Sequence, residues 1–274
     1  MTNLHEAALA CLRCTDPAGK VALTHAMAAA WRAGELRVPP PGSAAPPVAI
    51  AQPGRPERPR LVAPREVARR GLGTPQGRAA LVHAVAHIEL NAIDLAWDAV
   101  YRFRAFPHAF IDDWVGVADD EARHYSLLAT RLARLGHAYG DFDAHNGLWE
   151  MAVKTADDPL RRMALVPRVL EARGLDVTPG MIERLRAVGD HETVAILALI
   201  LREEVAHVAA GSRWFAWCCA ERGLAPEATF RGLLAEVSPG LLRGPLNHAA
   251  RIEAGFTAQE LTGFDPPAPG LARP

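Results

Sequence analysis

The placing of proline limits what this chain can fold into more than any other feature. Between residues 36 and 68 it recurs at 39, 40, 41, 46, 47, 53, 56, 59 and 64. Each ring fixes φ and removes an N–H, so neither regular helix nor central strand fits there. From residue 75 on, proline moves to places a helix accepts: Pro75 after Thr74, Pro107, Pro159 after Asp157-Asp158, and Pro179 after Thr178. A capping side chain followed by proline in the first turn marks a helix start. The segments that follow carry apolar residues at three- and four-residue spacing and show no strand alternation. This spacing predicts helices over 75–104, 107–135, 147–155, 159–174 with Pro167 inside, 178–189, 190–222 and 226–237, several of them stopping at glycine (136, 174, 189, 223). Upstream, 3–15 and 19–33 read as two short helices broken at Asp16-Pro17.

The fold class is therefore all-α. The expected organisation is N-terminal helices and the Pro-rich segment over 1–74, a four-helix bundle over 75–223, and a C-terminal helical extension over 224–274, its tail rich in Pro and Gly. The Pro-rich segment reads either as a disordered linker or, given Val48, Ile50, Leu61 and Val62, as an ordered strap across the bundle.

Half the residues are hydrophobic, enough for a large core, and the formal net charge is −1. That balance gives no global pull toward nucleic acid, while leaving a local basic patch open. The start of the chain lacks the basic and apolar regions of a secretory leader. The longest apolar run, within 193–201, is about half the length of a membrane span and is followed by Arg202, Glu203 and Glu204. The expectation is a cytoplasmic protein with no membrane contact. Cys11 and Cys14 form a CxxC, but no second pair stands at zinc-ligand spacing. Together with Cys218 and Cys219 they read as small helical residues, buried or half-buried.

Glu121 and His124, and again Glu204 and His207, are the places where Glu is followed by His at i+3. Two such pairs are not rare in themselves; their placement makes the case. Phe110, Trp114, Val117, Leu128, Leu132 and Leu135 form an apolar stripe, and Glu121 and His124 continue it. Leu197, Leu201, Gly211, Trp214 and Cys218 form another, and Glu204 and His207 fill its gap. Glu89 lies among Val82, Val85, Ala86, Ala92, Ile93 and Ala96, and Glu171 follows Leu160, Met163, Ala164 and Pro167. Carboxylates on core-facing positions are costly unless compensated, and metal ions compensate them. Four carboxylates and two imidazoles balance two divalent cations, and mixed O and N donors suit iron or manganese better than soft metals; two iron ions are the expectation, with manganese the alternative at one or both positions. The order Glu, Glu-x-x-His, Glu, Glu-x-x-His is the inward-facing pattern of two-metal helical bundles. A structural ion-pair cluster is the competing reading. His83 and His87 share a helix with Glu89, but His87 is about 200° around it, so packing or surface roles are expected for them.

Over residues 89–207 this order resembles the ferritin-like di-iron carboxylate superfamily. Asp120-Glu121-Ala122-Arg123-His124 resembles the DExRH motif of bacterial di-iron monooxygenases. That resemblance implies that Asp120 partners a ligand histidine from outside the metal shell; Glu203 holds the equivalent place in the second half, departing from Asp. Residues 167–179 with Ala86-His87-Ile88-Glu89-Leu90 resemble an uncharacterised bacterial family with a ferritin-like domain, across most of the chain, and Glu171-Ala172-Arg173 is similar to a shorter stretch of tRNA-modifying di-iron hydroxylases.

Two classes of function follow as expectations. One is an O2-dependent oxidoreductase of hydroxylase type, acting on an organic substrate or tRNA and drawing electrons from a separate reductase, since no rubredoxin-like cysteine pairs are present. The other is a metal-handling protein (ferroxidase, iron storage or peroxide detoxification) or a non-catalytic metal-binding module. The long segments on either side of the bundle favour the first.

Overall fold

The computed structural model describes residues 2–40, 45–237 and 244–264. It is all-α: among the described residues the strands are β1 (Thr2–Asn3) and β2 (Leu36–Arg37), paired in parallel. The helices are α1 (Leu4–Arg13), α2 (Pro17–Arg32), α3 (Pro75–Arg102), α4 (His108–Arg134), α5 (Gly147–Lys154), α6 (Pro159–Leu165), α7 (Arg173–Ala187), α8 (His191–Glu221), α9 (Pro226–Val237), α10 (His248–Glu253) and α11 (Ala258–Leu261), with a π-helical segment at Val166–Glu171. The chain divides into two compact units. Unit 1 is the chain up to Ala156 with Leu185–Ile196; unit 2 is Asp157–Arg184 with the residues from Leu197 on.

The expected helix starts at Pro75 and Pro159 are present, and α2 begins at Pro17 rather than at residue 19. Asp16 accepts from Gly19 N at 2.7 Å, Thr74 from Gly77 N at 3.1 Å and Asp158 from Leu160 N at 2.9 Å, each taking one of the first-turn donors a helix cannot pair internally. In unit 1, α3 packs along α4, α1 lies on α3 and α2 on α4. By length and composition α3 could cross a bilayer, but 72% of its most apolar window is buried inside the protein. That burial fits the central helix of a core; Val82, Ala86, Ile93, Ala96, Trp97 and Val100 are all sealed within it.

The Pro-rich segment is an ordered strap over its described part. Gly54 N donates to Leu12 O at 2.6 Å, Val62 N to Ala144 O at 2.8 Å, Val48 N to the Tyr101 hydroxyl at 3.0 Å and Trp149 Nε1 to Ala51 O at 3.0 Å. Position 54 has to be glycine: a Cβ there would lie 2.3 Å from Arg13 O.

Unit 2 departs from the expected helix pattern. The sequence predicts a stop at Gly174 and a new start at Pro179, yet α7 runs unbroken through both. The interruption falls earlier, at Val166–Glu171, where Pro167 sits in the widened turn and Ala172 N reaches back five residues to Pro167 O at 3.0 Å. The wider turn accommodates a ring that a regular α-turn would reject. Gly211 makes room for that ring, since a Cβ there would stand 2.4 Å from Pro167 Cβ. Gly211→Ala is expected to cost about 1–3 kcal/mol through overpacking, read as a lowered urea midpoint; an unchanged midpoint would show that the Pro167 ring can yield.

Candidate functional site

In unit 1, α3 and α4 bring three of the expected ligands together. His124 Nδ1 lies 3.2 Å from Glu89 Oε2 and 3.4 Å from Glu121 Oε2. The residues are 0%, 3% and 1% exposed, and one donor atom from each falls within 4.8 Å of the others. Two carboxylates and an imidazole, buried and convergent, form a donor set that could hold a metal ion. Burial alone would discharge the imidazole; hydrogen bonds and negative charge from Glu121 and Glu89 outweigh it and push His124 up to about 11. A proton on His124 therefore supplies positive charge that a metal ion can replace.

In unit 2, α8 carries Glu204 and His207 one turn apart, with His207 Nδ1 3.6 Å from Glu204 Oε1; His207 is buried and Glu204 half-buried. Glu171 is the last residue of the π-helical segment and is half-buried, as is Glu203 on α8. Asp120 bonds Arg123 Nη2 at 2.8 Å, with 43% of its side chain exposed.

His83 and His87 are both buried in unit 1, as packing residues would be. His87 Nε2 faces His145 O at 3.0 Å, and a carbonyl only accepts, so Nε2 bears the proton and Nδ1 accepts from the Tyr139 hydroxyl at 2.8 Å. His83 Nε2 accepts from Gly140 N at 2.9 Å. Burial lowers both to about 4, from 6.5. The unfolded chain binds protons there that the folded one refuses. The stabilisation is present above about pH 6.5 and is lost as pH falls toward 4. For His87 the full window is worth on the order of 3 kcal/mol. Urea unfolding at pH 7 and pH 5 should show the drop, and His87→Gln should reduce it, with His83 supplying what remains.

His87, Tyr139, Arg55 and Arg60 line a cleft of about 400 Å³ beside the strap. The turn separating His87 from Glu89 puts this cleft on the other side of α3 from the carboxylate cluster. Sequence reasoning misses the buried ion pairs, among them Lys20 with Asp94 in unit 1, both 1% exposed. The only local signal of that pair is an acid, Asp94, set between Ile93 and Leu95 in an apolar run.

No solved structure matches this chain. An uncharacterized protein of Haemophilus influenzae is 48% identical to it over 213 residues, which cover 75% of this chain and 74% of that protein. Residues 13–262 match the family described as "Protein of unknown function (DUF455)", and with a match of that extent the chain belongs to this family.

Proposed function

We propose that this protein is a ferritin-like di-iron carboxylate oxidoreductase. Glu89, Glu121 and His124 hold one part of the metal centre, and Glu171, Glu204 and His207 supply the remainder. The observation that carries the reading is the dry convergence of Glu89 and Glu121 on His124 between α3 and α4. The same Glu-x-x-His spacing in α8 supports it. Manganese is the alternative ion at either position.

When bound, two iron ions would supply O2 activation, for a hydroxylation of an organic substrate or tRNA with electrons from a partner reductase. The chain's own residues keep the donors dry, exchange the His124 proton for metal charge, and fix the carboxylates on rigid helices. Asp120 and Glu203 are proposed to orient the two histidines from outside the metal shell; Asp120→Ala should then weaken metal binding about 10–100-fold.

Anaerobic loading with ferrous iron, followed by O2 and optical and metal analysis, tests the proposal. About two irons per chain, coloured when oxidised and reactive again after reduction, support it. Many irons per chain accumulating as mineral would support the metal-handling reading, and no retained metal would overturn both.

A further inference from the structure

The helices after residue 244 close on the irregular part of unit 2. Arg168, in the π-helical segment, is 2% exposed. Its guanidinium lies 4.3–4.7 Å from the ring centres of Phe215, Phe230 and Phe256. It also donates to Glu260 Oε2 at 2.9 Å and Ser212 Oγ at 3.2 Å. Arg251, 0% exposed, reaches the backbone on both sides of Glu171, donating to Arg168 O at 3.4 Å and Ala172 O at 3.3 Å while paired with Asp176 at 2.7 Å. Pro179 has no N–H to give to Leu175 O four residues earlier. Asn247 Nδ2 supplies that bond at 3.1 Å, and Asn247 N donates to Asp176 Oδ1 at 2.9 Å.

Every one of these bonds falls between Arg168 and Asp176, the stretch that two prolines and the widened turn leave weakest as a helix. The widened turn also sets a direction. A π-turn accommodates one extra residue, and one residue on an α-helix is about 100° of rotation. If the segment relaxed to a regular α-turn, Glu171 would swing by about that angle relative to α6.

We propose that Asn247, Arg251, Phe256 and Glu260 form a clamp that holds Val166–Glu171 in the wide turn and so fixes the face Glu171 presents. Arg251 is its central positioning residue. This rests on the metal reading only for its consequence: the C-terminal helices set the coordination of one carboxylate without contributing a ligand. The hydrophobic cage on Arg168 and the bidentate reach of Arg251 are both built for an arginine, because the planar fork spans several acceptors that an ammonium cannot.

The test uses the full chain carrying Arg251→Gln, Arg251→Lys or Glu260→Gln, with Arg161→Gln as control, since the Arg161–Glu236 bond lies outside the clamp. Hydrogen exchange at residues 168–176 and the visible spectrum with cobalt(II) are read beside circular dichroism. Arg251→Gln is expected to keep its helicity, to exchange at least about tenfold faster over 168–176, and to change the cobalt spectrum. Arg251→Lys should recover part of both effects, and Arg161→Gln should show neither. If Arg251→Gln does not fold, Glu260→Gln decides the matter by the same readouts. Unchanged exchange at 168–176 overturns the clamp. Faster exchange with an unchanged cobalt spectrum overturns its role at Glu171. If the unaltered protein takes up no cobalt, the metal reading fails and exchange alone decides the clamp.

Discussion

Replacing His124 with alanine is expected to destabilise the metal-free protein by about 3–5 kcal/mol and to lower its metal content by about one ion per chain. Without metal, the imidazolium is the cation 3.2 Å from Glu89 and 3.4 Å from Glu121 in the buried interior. Removing it takes a positive charge from beside two buried carboxylates, and a buried charge that loses its counter-ion is far more costly than a surface one. Folding raises this group from 6.5 to about 11, so its contribution is fully present below about pH 6.5 and disappears as pH climbs toward 11. Urea unfolding in the presence of a chelator should therefore show the unaltered protein weakening between pH 7 and pH 10, and His124→Ala losing that dependence. Equal stability of the two at pH 7, with equal metal uptake, would remove His124 from the centre.

Lys20→Met is expected to cost about 3–5 kcal/mol as well. Lys20 Nζ bonds Asp94 and donates to Gly54 O at 3.0 Å, so the variant strands a carboxylate under the strap and loosens the strap itself. Burial already pushes Asp94 up to about 6 in spite of Lys20, and without the lysine it would take up a proton more readily still. The deficit should shrink as pH falls toward about 6, because the variant's Asp94 takes up its proton at a higher pH than the unaltered protein's does. Asp94→Leu added to Lys20→Met should restore much of the loss, because paired removal of a buried ion pair is far cheaper than breaking it. Limited proteolysis near Gly54 gives a second reading: no increase in cleavage would mean that Lys20 does not anchor the strap.

How much of the fold is legible in the chain depends on how local each cause is. The starts of α3 and α6 are legible because a cap and a proline act within one turn. Glu89, Glu121 and His124 are legible as inward-facing because apolar stripes on α3 and α4 surround them. The unbroken course of α7 is not, because the donor replacing the Pro179 N–H comes from Asn247, 72 residues after Leu175. Nor are α10 and α11, of six and four residues, which are too short to hold by propensity and depend on contacts such as Arg251 with Asp176. The Lys20–Asp94 pair spans 74 residues and leaves no periodic trace. The order of the Pro-rich segment turns on bonds to Leu12, Tyr101 and Ala144, which composition does not reveal.

The strap's prolines also act on the chain before it folds. A segment with little helix or sheet must surrender its backbone freedom on ordering, with few hydrogen bonds in return. Each proline has given up much of that freedom while the chain is still unfolded, and it brings no amide hydrogen that needs a buried partner. Strap positions such as Pro47 and Pro56 should therefore matter through the denatured ensemble. Their replacement by alanine is expected to lower stability by about 0.4–1 kcal/mol each while the folded contacts stay in place. A chain built this way can lay an irregular segment across its core and keep it there, because part of the ordering cost is already written into the covalent structure.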